Sequence, residues 1–311
     1  MLERSQIDRF WRDGYLTVAG AVTPAQLGAM RRDLEAWGEE SRLHAGPFGP
    51  PTIDGRPRFD MGEEHSAERP ALRRVNNPSD ISAAFAAAMR DAPVVDMVAD
   101  LIGPDVKFHH CKINLKLAGS HTEVGYHQDF AYTPHTNDDL VTALLMLDDM
   151  TDENGCLMVV PGSHKGPLHS LYDGERFAGF IAPEAVARLK AAEVAVTGPA
   201  GAACLMHTRL VHGSAANRSS ASRSLYICVY AAADAVPLAA NPLANPNEGL
   251  IVRGRGSRVA RLSGESVELP PPPKAASFFA TQGQRSAGLP SPERSPGFAP
   301  AGGGRGAGAG P

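Results

Sequence analysis

Apolar residues in the first hundred positions recur at helical spacing, and further along they gather into short runs suited to strands. Ile7, Phe10 and Trp11 share one side of a helix over Ser5 to Arg12, which Gly14 stops. "GYLTVAGAV" then reads as a short strand. In "TPAQLGAMRRDLEAWGEE", Thr23 is an N-cap, Pro24 takes the first helical position and Gln26 completes a capping box. Leu27, Met30, Leu34 and Trp37 form the buried stripe of that helix. Two more helices are predicted in "SDISAAFAAAMRDA" and "PVVDMVADLIG", separated by Pro93 and ended by Gly103.

The period then shortens. "KFHHCKINLKLA", "VTALLMLDDM", "GCLMVVPGSH", "GAACLMHTRLVHGS" and "RSLYICVYAAA" are strand-like runs bounded by Gly, Pro, Asn and Ser. The Met and Leu residues of "ALLMLDDM" read as core, and "PEAVARLKAAEV" as a helix or loop insertion. Helices first and strands afterwards predict an α+β fold, with helices outside a sheet sandwich or barrel. After about Leu262 the chain turns Pro-, Gly-, Ala- and Ser-rich and offers too little apolar area to offset ordering entropy. The expected division is a domain over 1–262 and a disordered tail over 263–311.

Composition narrows the setting. With 43% hydrophobic residues among 311 the chain can bury a large core, and a net charge of −4 without a basic run argues against nucleic acid. No apolar run is long enough to span a bilayer, and the charged first residues lack a signal-peptide core. The four cysteines form no CxxC pair, so reduced, buried thiols in a cytoplasmic protein are expected, as a monomer or homodimer.

Chemistry concentrates in "VGYHQDFAYTP". On a strand, His127 and Asp129 share a face while Gln128 points elsewhere. His212, at the end of another strand-like run, is the third ligand candidate. Two neutral imidazoles and a carboxylate make the facial triad of non-haem Fe(II), which leaves coordination positions open. Arg223 offers a fork for a carboxylate, and Ser214 a hydroxyl on the same side. An H-x-D pair alone is a weak signal; the distal His and Arg strengthen it. His109 and His110, as strand neighbours, are expected to face opposite ways. His207, His121 and His164 read as structural histidines.

"YHQDF", "DDMTDENGCLMVVPGSHKG" and "HTRLVHGSAANRSSASR" resemble the phytanoyl-CoA dioxygenase family of Fe(II)/2-oxoglutarate oxygenases, over roughly residues 1 to 262. The resemblance implies a double-stranded β-helix, or jelly-roll, core. It implies Fe(II) on His127, Asp129 and His212, and the far carboxylate of 2-oxoglutarate on Arg223 with Ser214 assisting. "KINLK" is similar to the strand before the metal motif in the ectoine-hydroxylase branch. That places Asn114 near the C1 end of 2-oxoglutarate, Lys116 near the site mouth and His110 along the pocket. The implied reaction consumes O2 and 2-oxoglutarate, releases succinate and CO2, and hydroxylates an unactivated C–H bond of a small molecule. Halogenating relatives carry a small residue at the carboxylate position, so Asp129 favours hydroxylation.

Phe130, Tyr132 and His135 either line the substrate pocket or pack the sheet. Pro134 stands before His135 where the ectoine branch carries an aromatic, which speaks against ectoine. Arg56, Arg58, Arg73 and Arg74 fall in an irregular, Pro-rich stretch: a lid for an anionic substrate, or a solvated loop. Two other readings stay open. One is a catalytically silent protein binding metal or 2-oxoglutarate on the same fold. The other is a zinc hydrolase with the same ligands, for which an Arg223–Ser214 clamp has no use.

Overall fold

The computed structural model describes residues 1–119, 123–263 and 266–271. His121 lies outside the described residues, as do 264–265 and 272–311 of the expected tail. The helices are α1 (Arg4–Asp13), α2 (Pro24–Ser41), α3 (Ala83–Asp91), α4 (Pro93–Ile102), the single turn α5 (Asp129–Tyr132) and α6 (Pro183–Leu189). The strands are β1 (Tyr15–Val18), β2 (Phe59–Met61), β3 (Leu72–Asn76), β4 (Val106–Lys116), β5 (Val124–His127), β6 (Leu140–Met146) and β7 (Leu157–Val159). They continue with β8 (Tyr172–Asp173), β9 (Arg176–Phe177), β10 (Val194–Val196), β11 (Ala203–His207), β12 (His212–Ser214), β13 (Arg223–Ala232) and β14 (Ile251–Arg253).

The helix boundaries follow local chemistry. Thr23 accepts from the Gln26 amide at 3.2 Å and Gln26 returns its side-chain oxygen to the Thr23 amide at 3.0 Å, so the capping box forms. Gly14 ends α1 with φ of 84°, a left-handed conformation in which a Cβ would also come within 2.4 Å of His164 Nδ1. Ser82 caps α3 by accepting from the Phe85 amide.

An eight-stranded antiparallel sheet runs β1-β11-β6-β13-β4-β3-β2, with β14 added on β4; a four-stranded sheet runs β10-β7-β12-β5. Period-2 alternation divides the large sheet's residues between its faces. Val141, Ala143, Leu145, Tyr226, Cys228 and Tyr230 pack with Phe10, Met30, Phe85, Val95 and Leu101 of the helices. Leu144, Met146, Met206, Leu225 and Ile227 turn the other way and meet Leu157, Val159 and Val196 of the small sheet. The result is the two-sheet sandwich with outer helices expected for a jelly-roll.

Two expectations are corrected. The stretch after residue 56 is not an arginine lid: β2 and β3 extend the large sheet there. Arg58 is buried and donates to Asp80 at 2.8 Å and to the Asn76 and Asn77 carbonyls, while Arg56 holds Asp54 and the Pro242 carbonyl. Arg73 faces Asp60 at 3.2 Å, and Arg74 donates to Asn76 Oδ1 at 2.9 Å. Regular pairing with β4 was not legible because the run carries two adjacent arginines that mask its alternation.

His109 and His110 face the same way. Val229 pairs with His110 and Tyr230 with Phe108, so His109 is the extra residue of a β-bulge. Their Nδ1 atoms lie 2.6 Å apart. Some described residues after 262 also touch the domain. Ser170 donates to Glu268 and Tyr172 to the Leu269 carbonyl, and Val267 packs beside Phe130 and Leu140.

Candidate active site

Between the sheets lies a cavity whose walls bring together three of the histidine and carboxylate candidates. His127 ends β5 and His212 begins β12, and the two are register partners in the small sheet. Their rings lie 4.2 Å apart between centroids. Asp129 is not on the strand: it opens α5, and the chain's turn there brings its carboxylate back toward His127. Asp129 Oδ1 lies 3.5 Å from His127 Nε2 and 3.7 Å from His212 Nε2. All three donor atoms fall within 4.8 Å of one another, the one such group of His, Cys, Asp or Glu among the described residues.

Neighbouring groups fix the donors' orientation. His127 Nδ1 bonds the Gly125 carbonyl at 2.8 Å and His212 Nδ1 the Leu210 carbonyl at 2.9 Å. A carbonyl only accepts, so each Nδ1 carries a proton and each Nε2 is turned to the Asp129 carboxylate at the centre. Burial pushes the His212 imidazole down to about 4, so it is neutral at physiological pH. Burial opposes the charge on Asp129, but His212, His127 and Lys112 outweigh it and hold the carboxyl well below its usual range. Thr142 Oγ1 donates to Asp129 Oδ2 at 2.7 Å, leaving Oδ1 toward the histidines. Gln128 points away and donates to the Arg209 carbonyl at 2.6 Å. A donor set of two imidazole nitrogens and one carboxylate oxygen, gathered on one side, fits a divalent ion such as Fe(II).

The far end of the cavity is cationic. Arg223 opens β13, is 2% exposed, and donates to the Gly155 carbonyl. Burial lowers its guanidinium to about 10, still charged at neutral pH. Among the described residues its buried Nε has no hydrogen-bond partner, nor has Asn114 Oδ1. Lys116 is the register partner of Arg223 and donates to the Ala215 carbonyl. Burial, then Arg223, pushes Lys116 down to about 7. Ser214 lines the same end. Such a cradle fits a carboxylate.

The remaining expectations divide. Tyr132 stands edge-on to the His127 ring at 5.6 Å between centroids and donates to the Gly179 carbonyl. Phe130 is core, packed with Leu140, Ala231 and Ala235. His135 bonds the Thr133 carbonyl and stacks edge-on against His109, away from the cavity wall. His110 sits on the cavity face of β4 but its ring is turned to His109. His207 and His164 face α1, as structural histidines. Two residues went unnoticed in the sequence. Thr142 is the lone polar residue in an apolar run, and Lys112 shares the period-2 face of Asn114 and Lys116 in "KINLK".

The sequence profile of the family described as phytanoyl-CoA dioxygenase (PhyH) matches residues 10–225. The chain belongs to this family. A probable alpha-ketoglutarate-dependent hypophosphite dioxygenase of Stutzerimonas stutzeri is 36% identical over 86% of this chain and 89% of its own length. L-proline trans-4-hydroxylase of Streptomyces griseoviridis is 27% identical over 71% and 84%, and ectoine dioxygenase of Streptomyces coelicolor 30% over 70% and 74%. The iron-bound EctD from S. alaskensis superposes with a TM-score of 0.61 at 22% identity, over 87% of this chain and 88% of that one, and supports the fold. This PhyH-family chain is thus a non-haem dioxygenase that works with iron and 2-oxoglutarate on a small molecule. The zinc-hydrolase and silent-binder readings have no counterpart among these relatives. No helix of the described residues is long and apolar enough to cross a membrane.

Proposed function

We propose that His127, Asp129 and His212 hold Fe(II), and that Arg223, with Ser214, Lys116 and Asn114, holds 2-oxoglutarate for hydroxylation of a small molecule. The observation that carries this is the pairing, in one cavity, of the triad with a buried guanidinium at the opposite end. When bound, iron and 2-oxoglutarate supply O2 activation, with one oxygen atom passing to succinate as CO2 leaves and the other to a hydroxylated substrate.

The chain's residues supply orientation. The Gly125 and Leu210 carbonyls lock both imidazoles in the ligating tautomer. Thr142 fixes which carboxylate oxygen of Asp129 faces the histidines. Arg223 holds a carboxylate by charge-assisted hydrogen bonds, and Leu144, Leu157, Leu225 and Ile227 exclude water between the two ends. Four buried free cysteines agree with a cytoplasmic setting, and the chain acts as a monomer or homodimer.

Anaerobic titration of the Fe(II)-loaded protein with 2-oxoglutarate tests the assignment. A visible metal-to-ligand charge-transfer band is expected. Arg223→Ala raises the 2-oxoglutarate concentration needed by about 10- to 100-fold, as loss of a charge-assisted hydrogen bond does, with iron affinity kept. Loss of iron instead would make Arg223 a structural residue.

A further inference from the structure

Strand pairing settles how the two histidines stand to each other, but it does not reach the carboxylate. His127 and His212 are register partners, and β5 ends at His127. Asp129 lies past that end, in the single turn of α5. Something other than the sheet therefore sets Asp129 against His212.

The residues on either side of Asp129 supply the connection. The Phe130 amide donates to the Thr208 carbonyl at 2.9 Å. The Gln128 side-chain nitrogen donates to the Arg209 carbonyl at 2.6 Å, from 81 residues away in the chain. The next carbonyl, that of Leu210, accepts from His212 Nδ1 at 2.9 Å. Successive carbonyls of one turn thus receive Phe130, Gln128 and the His212 ring in order. The turn is held from its other side too, where the Val211 amide donates to Ser163 Oγ at 2.9 Å.

Gln128 also reaches a second loop. Its side-chain oxygen accepts from the His169 amide at 2.8 Å, and its nitrogen makes a longer bond to the Pro167 carbonyl at 3.3 Å. The side chain is fully buried, with its nitrogen and its oxygen both engaged. A buried amide costs stability unless such bonds are made, and an apolar side chain of similar volume would fill the space with less at stake. Once satisfied, a buried polar residue specifies one arrangement of the segments it joins. Here those segments are the turn that carries Asp129 and the turn that leads to His212.

Taking His127, Asp129 and His212 as the iron ligands, we propose that Gln128 is a positioning residue: by tying the α5 turn to the Arg209 carbonyl, it sets Asp129 against His212 before the ion arrives. It acts only through the ligands, since its side chain points away from the cavity. Thr142 selects which oxygen of Asp129 faces inward, and Gln128 selects where the whole carboxylate stands. Loss of the Gln128 amide weakens iron binding and alters the geometry of iron that does bind, without reaching the Arg223 end.

The test uses Gln128→Met in the full chain, which keeps length and volume and loses every one of these bonds. In anaerobic titrations it is expected to need about 10- to 100-fold more Fe(II) than wild type. The charge-transfer band of its iron-saturated 2-oxoglutarate complex should move from the wild-type wavelength. The 2-oxoglutarate concentration required by the iron-saturated protein should stay within about twofold, because the Arg223 end is a separate site. Phe85→Ala, which loosens the helix face without touching either turn, should keep both the iron titration and the band. Wild-type iron binding in Gln128→Met, an unmoved band at iron saturation, or the same changes in Phe85→Ala would each make Gln128 merely structural and overturn the proposal. Should Gln128→Met not fold, hydrogen exchange of the wild-type protein decides. The Phe130 and His169 amides are expected to be protected already without metal. Free exchange there until Fe(II) is added would show that the ion, rather than Gln128, assembles the two turns. A wild-type protein that binds no Fe(II) overturns the ligand assignment on which the proposal stands.

Discussion

The two faces of the large sheet share the same strands and do opposite work. On the helix side, β13 presents Tyr226, Cys228 and Tyr230 to α3 and α4, all fully buried. The polar atoms there are closed off: Tyr226 donates to the Phe85 carbonyl at 3.0 Å and Tyr230 to the Met89 carbonyl at 2.8 Å. On the cavity side the same strand begins with Arg223, and β4 offers Lys112, Asn114 and Lys116. Here buried polar atoms of Arg223 and Asn114 have no partner among the described residues. Buried polar groups are ordinarily satisfied, so a face that leaves them open is built to receive a ligand. One face stores stability; the other gives some of it up for chemistry.

That contrast can be broken from either side. The largest effect is expected for Asp129→Ala. It should reduce turnover by more than about 100-fold through loss of iron, while melts by circular dichroism stay cooperative. Retained turnover would show that the carboxylate is not a ligand. On the helix face, Phe85→Ala removes a ring stacked on Trp37 at 5.4 Å and set edge-on to Tyr226 at 4.9 Å. Denaturant unfolding should then show a loss of about 3–5 kcal/mol, with turnover per folded molecule unchanged. If turnover falls in proportion, the two faces are coupled. Thr142→Val is the smallest and sharpest probe, because it keeps shape and removes only the hydroxyl at Asp129. Iron affinity should fall by about tenfold, with 2-oxoglutarate affinity of the loaded protein untouched. An unaltered iron titration would mean that the histidines alone orient the carboxylate.

Local signals carried far in this chain. The capping box at Thr23, the glycine stop at Gly14 and the strand-like apolar runs of β6 and β13 all appear where short-range chemistry demands them. His127, Asp129, His212 and Arg223 were recognisable because their spacing brackets strand-like runs. The misreadings share a cause. At 72–76 the adjacent arginines Arg73 and Arg74 hid a strand whose pairing with β4 supplies the hydrogen bonds its own sequence does not advertise. At His109 a single extra residue in the ladder reversed the expected side-chain direction, and nothing local marks a bulge there.

The sequence by itself determined the N-terminal helices, the long core strands, the ligand types and the α+β order, since capping, periodicity and donor chemistry act over a few residues. Tertiary structure alone decided which of these residues meet. The turn at α5 swings Asp129 back to His127, register pairing sets His212 opposite His127, and β3 sets Arg74 opposite Asn114. Convergence of that kind depends on strand register and sheet packing between segments up to a hundred residues or so apart, and no local pattern encodes such distances.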